Sequence, residues 1–300
     1  LLTGDIDLTV VLIVLAKAVI TFAFLMIAVL FMVWFERKII GDLQNRIGPN
    51  RAGPFGLLQT LADGIKLIFK EDLMPDRSDR FVFKLAPYLS IVPAFLTFAI
   101  VPIGGDFSGD KNGTIEVFGH TTLMQLADPP IGVLLFLAMS SIAVYGIMLA
   151  GWSSGSKYPL LGSVRATAQM VSYEVAIGFV LIPVVIWAGT FNLSGIVFAQ
   201  QGHVLGLLNG FGFNPLLLPL AVIFFISAMA ETARTPFDLT EAESELVAGY
   251  QTEYSSMSFA LFWLGEYGNV LLMCGMNAVL FWGGWLPPID WAPLYVVPGI

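Results

Sequence analysis

The sequence predicts an all-α integral membrane protein, and three observations carry that reading. Hydrophobic residues make up 57% of the chain against 12% charged, with mean hydropathy +0.81. Soluble domains run near a quarter charged. Several apolar runs last the roughly 20 residues that a helix needs to cross about 30 Å of hydrocarbon. No series of roughly ten-residue alternating segments, the mark of a membrane barrel, stands out.

Six spans follow in order, at about 8–35, 84–105, 131–152, 163–188, 213–231 and 256–284, within one membrane domain over 1–300. The first is long for hydrocarbon at 1.5 Å per residue, so it should tilt or protrude. It has no small-residue cleavage site and reads as a retained span rather than a signal peptide. Because the sequence opens at Leu1, a few residues are expected ahead of it. Pro87, Pro93 and Pro102 should break up the second span, as a packed bundle tolerates.

Lys and Arg give the orientation. Arg37, Lys38, Arg46, Arg51, Lys66, Lys70, Arg77, Arg80 and Lys84 crowd the first loop, and Lys157, Arg165 and Arg234 flank later loops on the same side. The positive-inside rule therefore puts loops 36–83, 153–162 and 232–255 inside and the amino terminus outside. In the first of these loops, Gly48-Pro49-Asn50-Arg51 and Gly53-Pro54 signal turns. Beyond them Leu57, Leu58, Leu61, Ile65 and Ile68 recur at helical spacing, which predicts an amphipathic helix at the interface or against the bundle.

Several chemistries are excluded by what the chain lacks. One cysteine, Cys274, and two histidines, His120 and His203, cannot supply a thiolate set for an iron–sulfur cluster or an internal disulfide. Both histidines fall in expected loops, away from any buried haem. No glycine-rich dinucleotide fingerprint follows a strand, and no P-loop is present. No metal site, redox centre or nucleic-acid site is expected in this chain.

Charged groups in apolar surroundings are the candidates for function, since each is costly without a partner. Glu174 lies near the middle of the fourth span, beside a polar stripe of Arg165, Gln169 and Tyr173. Glu266 lies in the sixth, next to Tyr267 and Asn269. These groups either pair to hold helices together or form a proton path, because carboxylates in apolar sites can change charge near neutral pH. Lys17, in the first span, reads as an interface anchor. The loop AETARTPFDLTEAESELVAGYQTEY, 230–254, holds Glu231, Asp238, Glu241, Glu243, Glu245 and Glu253 against one base, Arg234. It is either a solvated acidic loop or a charge-handling one. Glu231 sits too deep for easy solvation, and Arg234 can reach back to it. Thr240 and Glu243 match a capping box, and Glu241 and Glu245 repel across one turn. Glu36, among Arg37 and Lys38, reads as a local ion pair.

ERK at 36–38, QNRIGPNRAGPFGLLQTLADGIKLIFKED at 44–72, RATAQMVSYE at 165–174, the acidic loop and GEYGN at 265–269 occur in that order. Together they resemble the H-type membrane subunits of respiratory complex I, the proton-pumping NADH:quinone oxidoreductases, over essentially the whole chain. The resemblance implies eight transmembrane helices, two of them expected beyond the present sequence as a truncation, and a place at the heel of an L-shaped enzyme. By matching positions it implies a quinone chamber bordered by Glu36, Arg37, Arg46, Asp63, Glu231 and Arg234. It further implies a proton-coupling path through Tyr173, Glu174, Asp238, Glu241, Glu243, Glu245, Glu253 and Glu266. No residue of the chain would be catalytic. Quinone, ubiquinone or menaquinone, would be the substrate, with FMN and iron–sulfur clusters held by partner subunits. Peripheral-arm subunits would sit over the inner loops, and small membrane and antiporter-like subunits beside the bundle, in a bacterial plasma membrane or mitochondrial inner membrane. Asp42 and Ile47 stand where many relatives carry a basic residue and a proline. A membrane-bound hydrogenase subunit and a stand-alone transporter are the competing readings; no internal repeat supports the second.

Overall fold

The computed structural model describes residues 7–104, 114–201, 209–238, 240 and 243–287. It is a helical bundle in which five helices are long and apolar enough to cross a membrane. The first, α1 (Leu8–Leu43), is capped by the Asp7 carboxylate, which accepts from the Leu8 N–H. It runs past the expected end at 35 and takes Glu36, Arg37 and Lys38 into the helix. Few of its side chains are buried, Val29 and Val33 most fully, so one narrow stripe meets the bundle. The chain then turns through Gly53 and Gly56. A Cβ on Gly56, at φ +79°, would lie 2.3 Å from the Pro49 carbonyl oxygen, so only glycine fits there.

The amphipathic helix is present as α2 (Gln59–Ile68). Its polar edge faces the bundle: Thr60 is buried, and Asp63 pairs with Arg37. Leu61, Ile65 and Ile68 face outward.

Helix α3 (Arg80–Phe98) starts on an Asp79 cap that accepts from the Phe81 and Val82 N–H groups. It corrects one expectation, because Pro87 and Pro93 lie inside a continuous helix and break nothing. A helical proline orphans the carbonyl four residues back. For Pro87 that is the carbonyl of Phe83, and it accepts a bond of 3.1 Å from the Tyr254 hydroxyl, whose ring stacks on Phe83 at 4.0 Å. Burial pushes the Tyr254 phenol well above its ordinary range, so it stays a donor at any physiological pH. Tyr254→Phe is therefore expected to cost about 1 kcal/mol, measurable as a lower Tm of the assembled protein.

After α3 comes a two-stranded antiparallel hairpin, β1 (Thr114–Val117) and β2 (His120–Leu123), with Val117 opposite His120. Strands of four residues are too short to register as a sequence pattern, and none was expected there. Lys17 is correspondingly no free interface anchor. Its ammonium donates to Thr122 Oγ1 at 3.0 Å and to the Leu123 carbonyl at 2.7 Å, tying the hairpin to α1.

Helices α4 (Gly132–Ser153) and α5 (Lys157–Ala188) are joined by a three-residue turn, so α5, the fourth expected span, begins six residues before the expected 163. Small residues bring the backbones together, as is usual where helices pack in lipid. A Cβ on Gly146 would lie 2.6 Å from the Ser90 nitrogen on α3. Short α6 (Leu193–Ala199) follows, then α7 (Leu218–Glu231), α8 (Glu243–Leu246) and α9 (Ser256–Phe281). At 14 residues α7 extends only about 21 Å. It falls short of the expected membrane crossing at 213–231, which leaves five helices of spanning length among the described residues. The main core gathers Phe136, Ile177, Phe224, Met276 and Phe281 from α4, α5, α7 and α9.

Candidate charge-coupling site

The short α7 places the site. Its last residue, Glu231, is 3% exposed and accepts a hydrogen bond from Ser140 Oγ on α4. Ser140 stands about 20 Å along α4 from Ser153, at the end of the bundle richest in Lys and Arg. The acidic loop therefore starts deep in the bundle and returns toward that end under cover of other helices. Irregular backbone at such depth is tolerated only where protein or a cavity satisfies it. Gln169 on α5 does so, donating to the Ala230 carbonyl at 2.7 Å and the Phe237 carbonyl at 2.8 Å, one on each arm of the loop. Tyr173 supports the same turn, its ring edge-on to Phe237 at 5.5 Å.

Packing fixes where the loop re-emerges. A Cβ on Gly162 of α5 would lie 2.7 Å from the Gly249 backbone. Gly162→Val should displace the returning arm at a cost of about 1–3 kcal/mol. The check is loss of assembled protein on a native gel while Ala248→Val, at a half-buried neighbour, keeps it.

Two neighbouring serines organise two carboxylates. Ser140 donates to Glu231, and Ser141 donates to Glu174 of α5. Successive residues on one helix thus hold acids from two others. Neither serine was singled out from the sequence; the available signal was a Ser-Ser pair in an otherwise apolar run.

A second cluster centres on Arg234, and it overturns two expectations. Arg234 does not reach back to Glu231. Its Nη1 donates to Glu36 Oε1 at 3.0 Å, and its Nη2 lies 3.2 Å from Glu266 Oε1, an ion pair without hydrogen-bond alignment. Glu36 accordingly pairs across the bundle rather than with Arg37 beside it. The guanidinium also stacks 4.3 Å over the Tyr267 ring, and the Tyr267 hydroxyl donates to Glu36 Oε2 at 2.7 Å. One cation so joins α1, α9 and the loop. A cavity links the two clusters: Glu231 and Glu266 both line it, with Ser140, Thr240, Tyr250 and Asn269.

The remaining candidates divide. Arg37 donates to Asp63 at 2.5 Å, and Gln59 also donates to Asp63 at 3.1 Å, joining α1 to α2. Arg165 and Glu245 form an exposed pair at 2.7 Å, worth at most about 1 kcal/mol. Arg46 donates to Gln44 at the surface and stands outside both clusters. Asp238 is exposed and Glu253 half-buried. Glu241 lies outside the described residues, as do the side chain of Glu243 and hence the expected capping box. Among the described residues no group of His, Cys, Asp or Glu could hold a metal ion.

The profile of the NADH dehydrogenase family matches residues 16–298. The chain belongs to this family. Similar relatives, each named as the H subunit of an NADH-quinone oxidoreductase, occur in Rhizorhabdus wittichii and Sphingopyxis alaskensis, both 58% identical over 276 residues. These alignments cover 92% of this chain and 74% and 75% of the relatives. A relative of the same name from Pelagibacter ubique is 49% identical over 274 residues, covering 91% of this chain and 75% of its own length. The family match takes in α2, the Arg234 cluster and the Glu231 cluster together.

Proposed function

We propose that the chain is the H-type membrane subunit of a proton-translocating NADH:quinone oxidoreductase, forming the membrane side of the quinone chamber and the start of the proton-coupling path. The observation that carries this is the position of Arg234 between Glu36 on the α1–α2 side and Glu266, which shares a cavity with Glu231. Glu36, Arg37 and Asp63 border the chamber, with α2 packed on α1 at its rim. Arg46 flanks its mouth. An isoprenoid quinone reaches it from lipid past α1, only a narrow stripe of which meets the bundle.

The physics of coupling is electrostatic. Reducing a quinone to its quinol takes up two electrons and two protons, so the charge beside Glu36 and Arg234 is more negative between the arrival of the electrons and that of the protons. Arg234 cannot titrate, and it can only redistribute its pairing between Glu36 and Glu266. That redistribution alters the field at Glu231 and Glu174, which biases their protonation as a linkage between two sites. Tyr173 and Gln169 hold the loop in place while this happens. Asp238, Glu241, Glu243, Glu245 and Glu253 complete the acidic surround, and the polar path continues through Glu174 toward neighbouring antiporter-like subunits.

FMN and iron–sulfur clusters belong to partner subunits over the basic end of the bundle, with small membrane subunits and lipid around it. The excess of Lys and Arg there supports an inner location for that end, in a bacterial plasma membrane, with the amino terminus outside. A chamber role for the Arg37–Asp63 pair predicts that Asp63→Asn raises the KM for a short-chain quinone severalfold while NADH:ferricyanide reduction is unchanged. An unaltered KM would remove the pair from the chamber.

A further inference from the structure

At the basic end, the start of α3, the end of α4 and the start of α5 form one corner. The Asp79 N–H donates to the Ser153 carbonyl at 3.1 Å, and a Cβ on Gly155 would lie 2.7 Å from the Arg77 carbonyl oxygen. These contacts gather Arg77, Arg80 and Lys157 within about a helical turn of the Ser153–Gly155 turn, with Lys84 one turn further along α3. All four side chains are exposed, and none pairs with a carboxylate among the described residues. Of the acids in the same stretch, Asp79 is occupied in capping α3 and Asp76 is exposed.

Two further features point to one kind of occupant. Phe81, Trp152 and Tyr158 are largely exposed around the same corner, at the ends of helices long enough to cross a membrane. Aromatic rings at that level sit among lipid headgroups. Ser156 makes no side-chain capping bond to α5, so the first N–H groups of a 32-residue helix stay open beside Lys157.

We propose that this corner binds the headgroup of an anionic phospholipid of the adjoining leaflet. Arg80, Lys84 and Lys157 meet the phosphate, and Trp152 and Tyr158 flank the glycerol region. Basic pockets between membrane helices bind acidic lipid in this way, at about 1 kcal/mol per Lys or Arg near the surface. The site is apart from the Arg234 and Glu231 clusters and takes no part in coupling.

The test uses the assembled complex in detergent and photoactivatable phosphatidylglycerol, with phosphatidylcholine as comparison. Labelled peptides should include residues 77–84 or 152–158. The triple change Arg80→Gln, Lys84→Gln and Lys157→Gln should lower that labelling about tenfold or more while NADH:ferricyanide and NADH:quinone rates hold. Arg80→Lys with Lys157→Arg, which keeps the charge, should keep the labelling and guards against a folding defect. Labelling elsewhere only, equal labelling by phosphatidylcholine, or labelling indifferent to the triple change would each overturn the proposal. So would a photo-crosslinker at position 158 that captures a neighbouring acidic subunit in native membranes.

Discussion

Arg234→Met should collapse NADH:quinone activity while the protein still reaches the membrane. Arg234 is the shared cation of Glu36 and Glu266 and lies over the Tyr267 ring, so its loss leaves two partly buried carboxylates facing each other without a counter-charge. Removing one partner of a fully buried pair costs about 3–5 kcal/mol, and the residual exposure here reduces that to about 2 kcal/mol. Lysine is not a full replacement, because a single ammonium cannot fork between two carboxylates and stack on a ring. The expected order of activity is therefore wild type, then Arg234→Lys, then Arg234→Met. Quinone-linked and ferricyanide-linked NADH oxidation in the same membranes, with the amount of assembled complex on a native gel, separates lost function from lost assembly.

Glu231→Gln should uncouple rather than unfold. Glutamine keeps an acceptor for Ser140 in nearly the same volume but cannot carry a proton. A coupling of 1–3 kcal/mol between sites corresponds to roughly 5- to 150-fold, so proton translocation should fall about tenfold or more. Ser140→Ala is the companion experiment. It leaves the acid titratable but unheld, and it should lower translocation by less. If Glu231 were only a structural partner of Ser140, Glu231→Gln would keep both stability and proton translocation per electron, and only Ser140→Ala would lower stability.

The bundle was legible because membrane length and apolar composition are coarse signals that survive any detail of packing. The amphipathic α2 was equally plain, since Leu61, Ile65 and Ile68 recur on one face. The acids of the site could be picked out as costly residues in an apolar setting. Their partners could not, because pairing depends on depth. Glu231 lies about 20 Å down the bundle only because α7 is short, and that shortness is hidden by the apolar residues just before Leu218. Arg234 thus looked within reach of Glu231, three residues away, whereas the turn after α7 points it at Glu36 and Glu266. The prolines of α3 misled for a related reason. Pro87 reads locally as a helix breaker, and the Tyr254 hydroxyl that satisfies the freed Phe83 carbonyl comes from far along the chain.

Charge change at the quinone side is proposed to reach Glu231 through Arg234. This is tested most directly in reconstituted vesicles, by recording proton uptake and NADH:quinone turnover together for wild type and Glu231→Gln. The variant should keep NADH:ferricyanide oxidation but move far fewer protons for each quinone reduced. Wild-type proton uptake at a wild-type quinone rate would contradict it.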